Sequence, residues 1–329
     1  MLRVSLAVAV ERFPIRGTFT IARGSKTEAV VVTVTLFDGQ HQGRGECVPY
    51  ARYGETVESV IAAIEAMRAE IQVGGDWAEL QTRMPPGAAR NAIDCAFWDL
   101  EAKRAGQRAW DLAGLQAPQP VETCFTISLG TPETMEASAR AASATHKTLK
   151  IKLGSAGDIE RLQAVRHGAP DASLLVDANE GWDPINCGAL IRACGDARVA
   201  LIEQPFPAGQ DRWMRRYDWP VPTCADESVH GLETLEEIAP FYTAINIKLD
   251  KTGGLTEAMA MVQVARDMGL DVFVGCMVGT SLGMAPAMLI TPYAQYVDLD
   301  GPLLLAQDRV PGLRYEGSLV HPPSAVLWG

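Results

Sequence analysis

Residues 148–203 hold three short runs of one design: Thr148-Leu149-Lys150-Ile151-Lys152, Ser173-Leu174-Leu175-Val176-Asp177 and Val199-Ala200-Leu201-Ile202-Glu203. Each is mostly apolar and ends in a charged side chain. The ends fall at 152, 177 and 203, spacings of 25 and 26 residues filled with helix-like sequence. The pattern runs on in both directions, through Thr123–Ser128 upstream and Val221–Asp226, Ala244–Lys248, Asp271–Cys276 and Gln295–Asp300 downstream. Strand–helix units of this length are the mark of parallel βα repeats, and eight of them close a barrel. A strand buried on both faces also reads as a nearly continuous apolar run. The expectation is an α/β barrel over residues 116–301.

Residues 1–115 have a different texture. Strand-like material comes first, in Val4–Val10, Phe19-Thr20-Ile21 and the β-branched run Ala29–Phe37, which the turn Asp38-Gly39 closes. Val4–Val10 is too short for a secretory leader, because Glu11 and Arg12 end it. Two helical patterns follow. Val57, Val60, Ile61, Ile64, Met67 and Ile71 share one face, as do Ile93, Ala96, Phe97 and Leu100, with Gly106 as the terminator. Strands followed by helices predict an α+β unit, joined to the barrel through Ala113–Pro120.

The chain has 329 residues, and its 29 Lys and Arg against 40 Asp and Glu leave a net charge of −11. Nucleic acid would be repelled, and no basic cluster offers an exception. No apolar run nears the ~20 residues of a membrane-spanning helix. Seven scattered cysteines include no C-x-x-C pair, so the expectation is free thiols in a reducing cytoplasm. The five histidines lack metal-ligand spacing and are read as structural or surface residues.

Catalytic groups in such a barrel sit at the C-terminal strand ends. Here those ends carry Thr126 and Ser128, then Lys150 and Lys152, Asp177, Glu203, Asp226, Lys248, Cys276, and finally Asp298 and Asp300. Asp177, Glu203 and Asp226 end three consecutive strands and must converge. Three like charges need a cation, and an all-oxygen set without His or Cys favours Mg²⁺. Lys152 and Lys248 end the second and sixth strands, four apart in a ring of eight. They would flank a molecule held on the metal, one lysine to remove a proton and the other to return one on the opposite face. A lysine base needs a lowered pKa, which the neighbouring Lys150 would supply.

These residues carry a resemblance. Leu149-Lys150-Ile151-Lys152, Val176-Asp177-Ala178-Asn179, Ile202-Glu203-Gln204-Pro205, Ala225-Asp226-Glu227-Ser228 and Asn246-Ile247-Lys248-Leu249-Asp250-Lys251-Thr252-Gly253-Gly254 resemble the enolase superfamily, in its muconate-lactonising-enzyme subgroup. Arg90-Asn91-Ala92-Ile93-Asp94 is similar to part of the capping domain of that family. The resemblance implies a modified TIM barrel, (β/α)7β, with an N-terminal α+β capping domain completed by residues 302–329. It also implies catalytic Lys152 and Lys248, and Mg²⁺ on Asp177, Glu203 and Asp226.

One lysine pair serves several reactions in that subgroup. Asp298-Leu299-Asp300 puts two carboxylates on one side of a strand, too far along the barrel to join the metal triad. Their natural partner is a substrate ammonium, and the pair resembles that of dipeptide epimerases. Arg23, in Ala22-Arg23-Gly24-Ser25, could grip a side-chain carboxylate. It and the loop Pro49–Glu55 resemble those of L-Ala-D/L-Glu epimerases. Thr126, Lys150 and Cys276 complete the expected substrate contacts. The expectation is a Mg²⁺-dependent dipeptide epimerase acting by 1,1-proton transfer in cytoplasmic murein-peptide metabolism. Its partners would be a dipeptide and at most further copies of the chain. The alternatives are an N-acyl amino acid racemase or o-succinylbenzoate synthase, and a non-catalytic metal-dependent dipeptide-binding barrel.

Overall fold

A computed structural model describes residues 4–74 and 77–329. Its first layer is an antiparallel meander of β1 (Ser5–Ile21), β2 (Gly24–Phe37) and β3 (Gln42–Cys47). The two strands expected at the N-terminus are one strand, with an irregular register between Pro14 and Phe19. Proline cannot donate to the ladder, so a break there is expected. The expected helix over 57–71 is two, Val57–Ala66 and Arg68–Gln72, parted at Met67. The second helical pattern is the helix Ala88–Ala105, which Gly106 ends in the left-handed conformation at φ 62°. This helix lies directly on β3. A Cβ added at Gly45 would fall 2.1 Å from the Ala92 carbonyl oxygen, and one at Gly43 2.2 Å from that of Ala96.

The barrel follows. After the two-residue β4 (Val121–Glu122) come β5 (Phe125–Ile127), β6 (Thr148–Lys152), β7 (Ser173–Asp177) and β8 (Val199–Glu203). The remaining four are β9 (Thr223–Ala225), β10 (Ala244–Ile247), β11 (Asp271–Val274) and β12 (Tyr296–Val297). From β5 to β12 every neighbouring pair is parallel and in sequence order. The ring closes where Cys124 N–H donates to the Val297 carbonyl at 2.9 Å and Leu299 N–H to the Thr123 hydroxyl at 2.8 Å. Two of the seven crossovers depart from the expected α-helix: β8 to β9 uses the 3-10 helix Asp211–Arg216, and β11 to β12 only short turns of helix.

Alternation along the strands sorts the side chains. Leu149, Ile151, Leu174, Val176, Ile245 and Ile247 join the large core between strands and helices. Inside the ring, Cys124, Leu175, Leu201, Cys224, Ala244 and Phe273 form an apolar plug. Burying each of its larger side chains contributes about 1.5–3 kcal/mol. One residue pair further along the same inward faces, the side chains become Lys152, Asp177, Glu203 and Asp226.

Cap and barrel are joined through two of the quoted sequence motifs. Arg90 donates to the Thr252 carbonyl at 2.6 Å, Asn91 to Asp250 at 2.9 Å, and Thr256 to Asp94 at 2.6 Å. The chain after Pro302 touches both layers. Ala306 N–H donates to the Pro14 carbonyl, and Arg309 pairs with Glu11 and Glu46, each at 2.9 Å. β13 (Tyr315–Glu316) and β14 (Leu319–Val320) then pair with β4. Among the described residues no helix is long and apolar enough to cross a membrane. All seven cysteines are free.

Candidate active site

A cavity of about 430 Å³ opens between the cap and the C-terminal strand ends. The cap contributes β1 and β2 residues around Arg23 and Lys26 and the turn Tyr50–Tyr53. The barrel contributes Lys152, Asn179, Asp226, Glu227, Lys248 and Cys276. Of the residues expected at the site, Arg23, Lys152, Asp226, Lys248 and Cys276 therefore share one wall. Asp177, Glu203, Lys150, Thr126, Asp298 and Asp300 are buried deeper.

Asp177 and Glu203 are register partners on β7 and β8, and Asp226 follows β9. Each holds lysine. Lys152 Nζ donates to Asp177 at 2.5 Å, Lys150 Nζ pairs with Glu203 at 2.8 Å, and Lys248 and Lys251 each donate to Asp226 at 2.6 Å. Among the described residues no three His, Cys, Asp or Glu side chains are already disposed around one point as a metal cage. The donor set nevertheless fits a hard divalent cation. It is oxygen only, fully buried and self-repelling. The Glu203 carboxyl is pushed up to about 7, first by burial and then by Asp177, against the pull of Lys150. Asp226 goes the other way: burial works to raise it, but Lys248 and Lys251 hold it well below the usual carboxylate range.

Two expectations are corrected here. Asp298 does not stand apart from the triad, because Lys150 reaches Asp298 at 2.9 Å, Glu203 at 2.8 Å and Asp177 at 3.3 Å. The barrel interior is narrow enough for one ammonium to span three strands. Lys150 is also no free cation beside Lys152. Burial works to lower its pKa, but Asp298, Glu203 and Asp177 together hold it well above the ordinary value. Asp300 accepts from the Thr126 amide at 2.6 Å, and its carboxyl is pushed up to about 8 by burial and by Asp298.

Asn179, Glu180 and Glu227 were given no role in the sequence reading, yet they hold the cap arginines. Arg23 donates to the Asn179 carbonyl (2.7 Å), Glu180 (3.0 Å), the Tyr50 hydroxyl (3.1 Å) and Glu227 (2.7 Å). Arg52 makes a forked pair with Glu180 at 2.7 and 2.6 Å. Asn179 and Glu180 sit at φ 44° and 67°, and Gln204 at 34°, left-handed backbone directly after β7 and β8. Such strain clusters at functional sites. Glu227 was in plain view beside Asp226, whereas the pairing of Arg23 with residues more than 150 positions away leaves no local signal.

Comparison with known proteins places this geometry. Residues 3–114 match the mandelate racemase / muconate lactonizing enzyme N-terminal domain, and residues 134–325 the enolase C-terminal domain-like family. The L-Ala-D/L-Glu epimerase of Escherichia coli is 43% identical over 96% of this chain and 99% of its own. The N-acetyl-D-glutamate racemase of a Pseudoalteromonas species is 39% identical over 91% and 95%. An enolase family member from Agrobacterium tumefaciens with homology to dipeptide epimerases, solved with bound sodium and L-Ala-L-Glu, has 53% identity and a TM-score of 0.97. That match covers 99% of this chain and all of the other. A dipeptide epimerase from Methylococcus capsulatus, complexed with Mg and L-Arg-D-Lys, has 31% identity, a TM-score of 0.90 and 98% coverage of both chains. The chain therefore belongs to the mandelate racemase/muconate lactonizing enzyme group of the enolase superfamily, and it is an isomerase of that group.

Proposed function

We propose that this isomerase is a dipeptide epimerase that inverts the α-carbon of the C-terminal residue of L-Ala-L-Glu or L-Ala-D-Glu, in cytoplasmic murein-peptide metabolism. The observation that carries the reading is the placement of Lys152 and Lys248. They stand at β6 and after β10, four strands apart in the ring, and both open into the one cavity. A carbon between them has one ammonium or amine on each face, as a 1,1-proton transfer requires. Asp177, Glu203 and Asp226 would hold Mg²⁺, whose charge would stabilise the negative charge that develops when the α-proton leaves. Asp298 and Asp300 are assigned to the substrate ammonium, with Thr126, Lys150 and Cys276 around them and Arg23 on the cap side. Free thiols accord with a reducing compartment.

One observation favours a second reading, an N-acyl amino acid racemase. Lys150 already answers one oxygen of Asp298, which lessens its demand for a substrate ammonium although its other oxygen is buried without a hydrogen-bond partner among the described residues, and the Pseudoalteromonas relative carries the name of such an activity. The two readings separate in kcat/KM. The dipeptide reading expects L-Ala-L-Glu to exceed N-acetyl-L-glutamate by at least tenfold, and a preference for the acetylated substrate contradicts it. Substituting Asp298→Asn should then narrow that gap, since it removes a group assigned to the ammonium. A chain that exchanges the α-proton of neither substrate contradicts both readings.

A further inference from the structure

Asp226 lies one residue past β9, beyond the end of the ladder: the pairing of β8 with β9 stops at Glu203 opposite Cys224. Lys251 steadies the Asp226 carbonyl at 2.6 Å, but the Asp226 N–H is held by a side chain. Gln204, directly after Glu203, accepts from the Asp226 N–H at 2.8 Å and from the Ser228 N–H at 3.1 Å, both on its amide oxygen. Its Nε2 donates to the Phe206 carbonyl at 2.9 Å, the Ser228 hydroxyl at 2.8 Å and the Tyr242 hydroxyl at 3.2 Å. Both hydroxyls donate onward to one oxygen of Asp211, at 2.5 and 2.7 Å, in the 3-10 helix of the β8 to β9 crossover.

Backbone N–H groups only donate, so the two on Gln204 fix which end of its amide faces Asp226. Gln204 is fully buried and sits at φ 34°, a left-handed backbone that a residue with a side chain keeps only where its surroundings enforce it. Its own carbonyl accepts from the Glu180 N–H at 2.9 Å, so the loops after β7, β8 and β9 all meet on this residue. Glu203 is joined to it through the chain and Asp226 through a hydrogen bond. We propose that Gln204 is a positioning residue that sets the separation of Glu203 and Asp226 for a divalent cation. The inference rests on the metal reading above. A neutral amide suits the place, because it supplies donors and an acceptor without adding a further negative charge beside the three carboxylates.

The test is the dissociation constant for Mn²⁺, read from the electron paramagnetic resonance of the free ion. It is measured on the parent, Gln204→Met, Tyr242→Phe and the double variant Ser228→Ala/Tyr242→Phe. Gln204→Met keeps the length of the side chain and loses its grip on Asp226, and should raise the constant roughly 10- to 100-fold, the range for a residue that orients a metal ligand. Saturating Mg²⁺ should restore its turnover, because only occupancy is impaired. Tyr242→Phe should leave the constant within about threefold: an amide has two donor hydrogens, and Phe206 and Ser228 still answer them. The double variant leaves one partner and frees the amide to turn, so it should weaken Mn²⁺ roughly tenfold. It carries the test if Gln204→Met does not fold. The parent's constant in Gln204→Met or in the double variant overturns the assignment. So does a Tyr242→Phe protein as weak as Gln204→Met, or turnover that stays low at full occupancy. A parent that binds no Mn²⁺ overturns the metal reading and this one together, before any variant is made.

Discussion

Lys248 enters the cavity as an ammonium: burial works to lower its pKa, but Asp226 holds it well above the ordinary lysine value. The sequence suggested that a neighbouring lysine would make the base less basic. In the structure each neighbouring cation is itself spent on a carboxylate. Freeing Lys248 as a base therefore depends on engaging Asp226 elsewhere; Lys152 lies on Asp177 at 2.5 Å. From this follows the metal prediction. Asp177→Asn, Glu203→Gln or Asp226→Asn should each lower turnover by several kcal/mol, on the order of a thousandfold or more, with the far-ultraviolet circular dichroism unchanged. EDTA followed by dialysis should do the same to the parent, and Mg²⁺ should restore it. Full activity after chelation would remove the metal from the account. At this scale the strand-end residues were legible because the period of two fixes which side chains point inward. Depth along the barrel was not legible, so the link from Asp298 to the triad through Lys150 escaped. Neither was the loop residue Glu180, which follows no period.

Among the elements, β6, β7 and β8 have the boundaries that the apolar runs indicate, because a buried parallel strand must start and stop where burial does. The helix Ala88–Ala105 was legible too, but its seat on β3 was not, since it depends on two residues without side chains. Two glycine substitutions separate these contributions. Gly106→Ala meets only backbone strain, with nothing within 4 Å of the new Cβ, and should cost about 1 kcal/mol. Gly45→Ala drives a methyl group into the Ala92 carbonyl and should cost about 3 kcal/mol. Urea unfolding measures both, and equal costs would mean that the helix can slide on β3 without loss.

The whole molecule works as two layers closed on one cavity, and their joint carries a titratable group of its own. Asp250 accepts from Val48 N–H and the Asn91 amide, both on one oxygen, and burial pushes its carboxyl up to about 7. A carboxyl whose folded pKa lies above its unfolded value binds its proton more tightly in the folded state. Its contribution to stability is present at low pH and is lost as pH rises from about 4 through about 7. Asp250→Asn keeps the shared acceptor and removes the charge, so it should flatten that decline by an amount on the order of a few kcal/mol at pH 8. Thermal melts of parent and variant from pH 5 to 8 read the difference, and parallel curves would show that Asp250 does not titrate in that window. The central claim also belongs to the whole ring: Lys152 and Lys248, brought to opposite sides of one cavity, each serve one face of the α-carbon. The direct measurement is deuterium uptake in D₂O, with L-Ala-L-Glu and L-Ala-D-Glu supplied separately to Lys152→Ala and Lys248→Ala. The account predicts that each variant loses exchange from one isomer by ~10²–10⁴-fold and keeps it with the other, the pattern reversing between the two variants. Equal loss with both isomers in both variants, with substrate still bound, would contradict it.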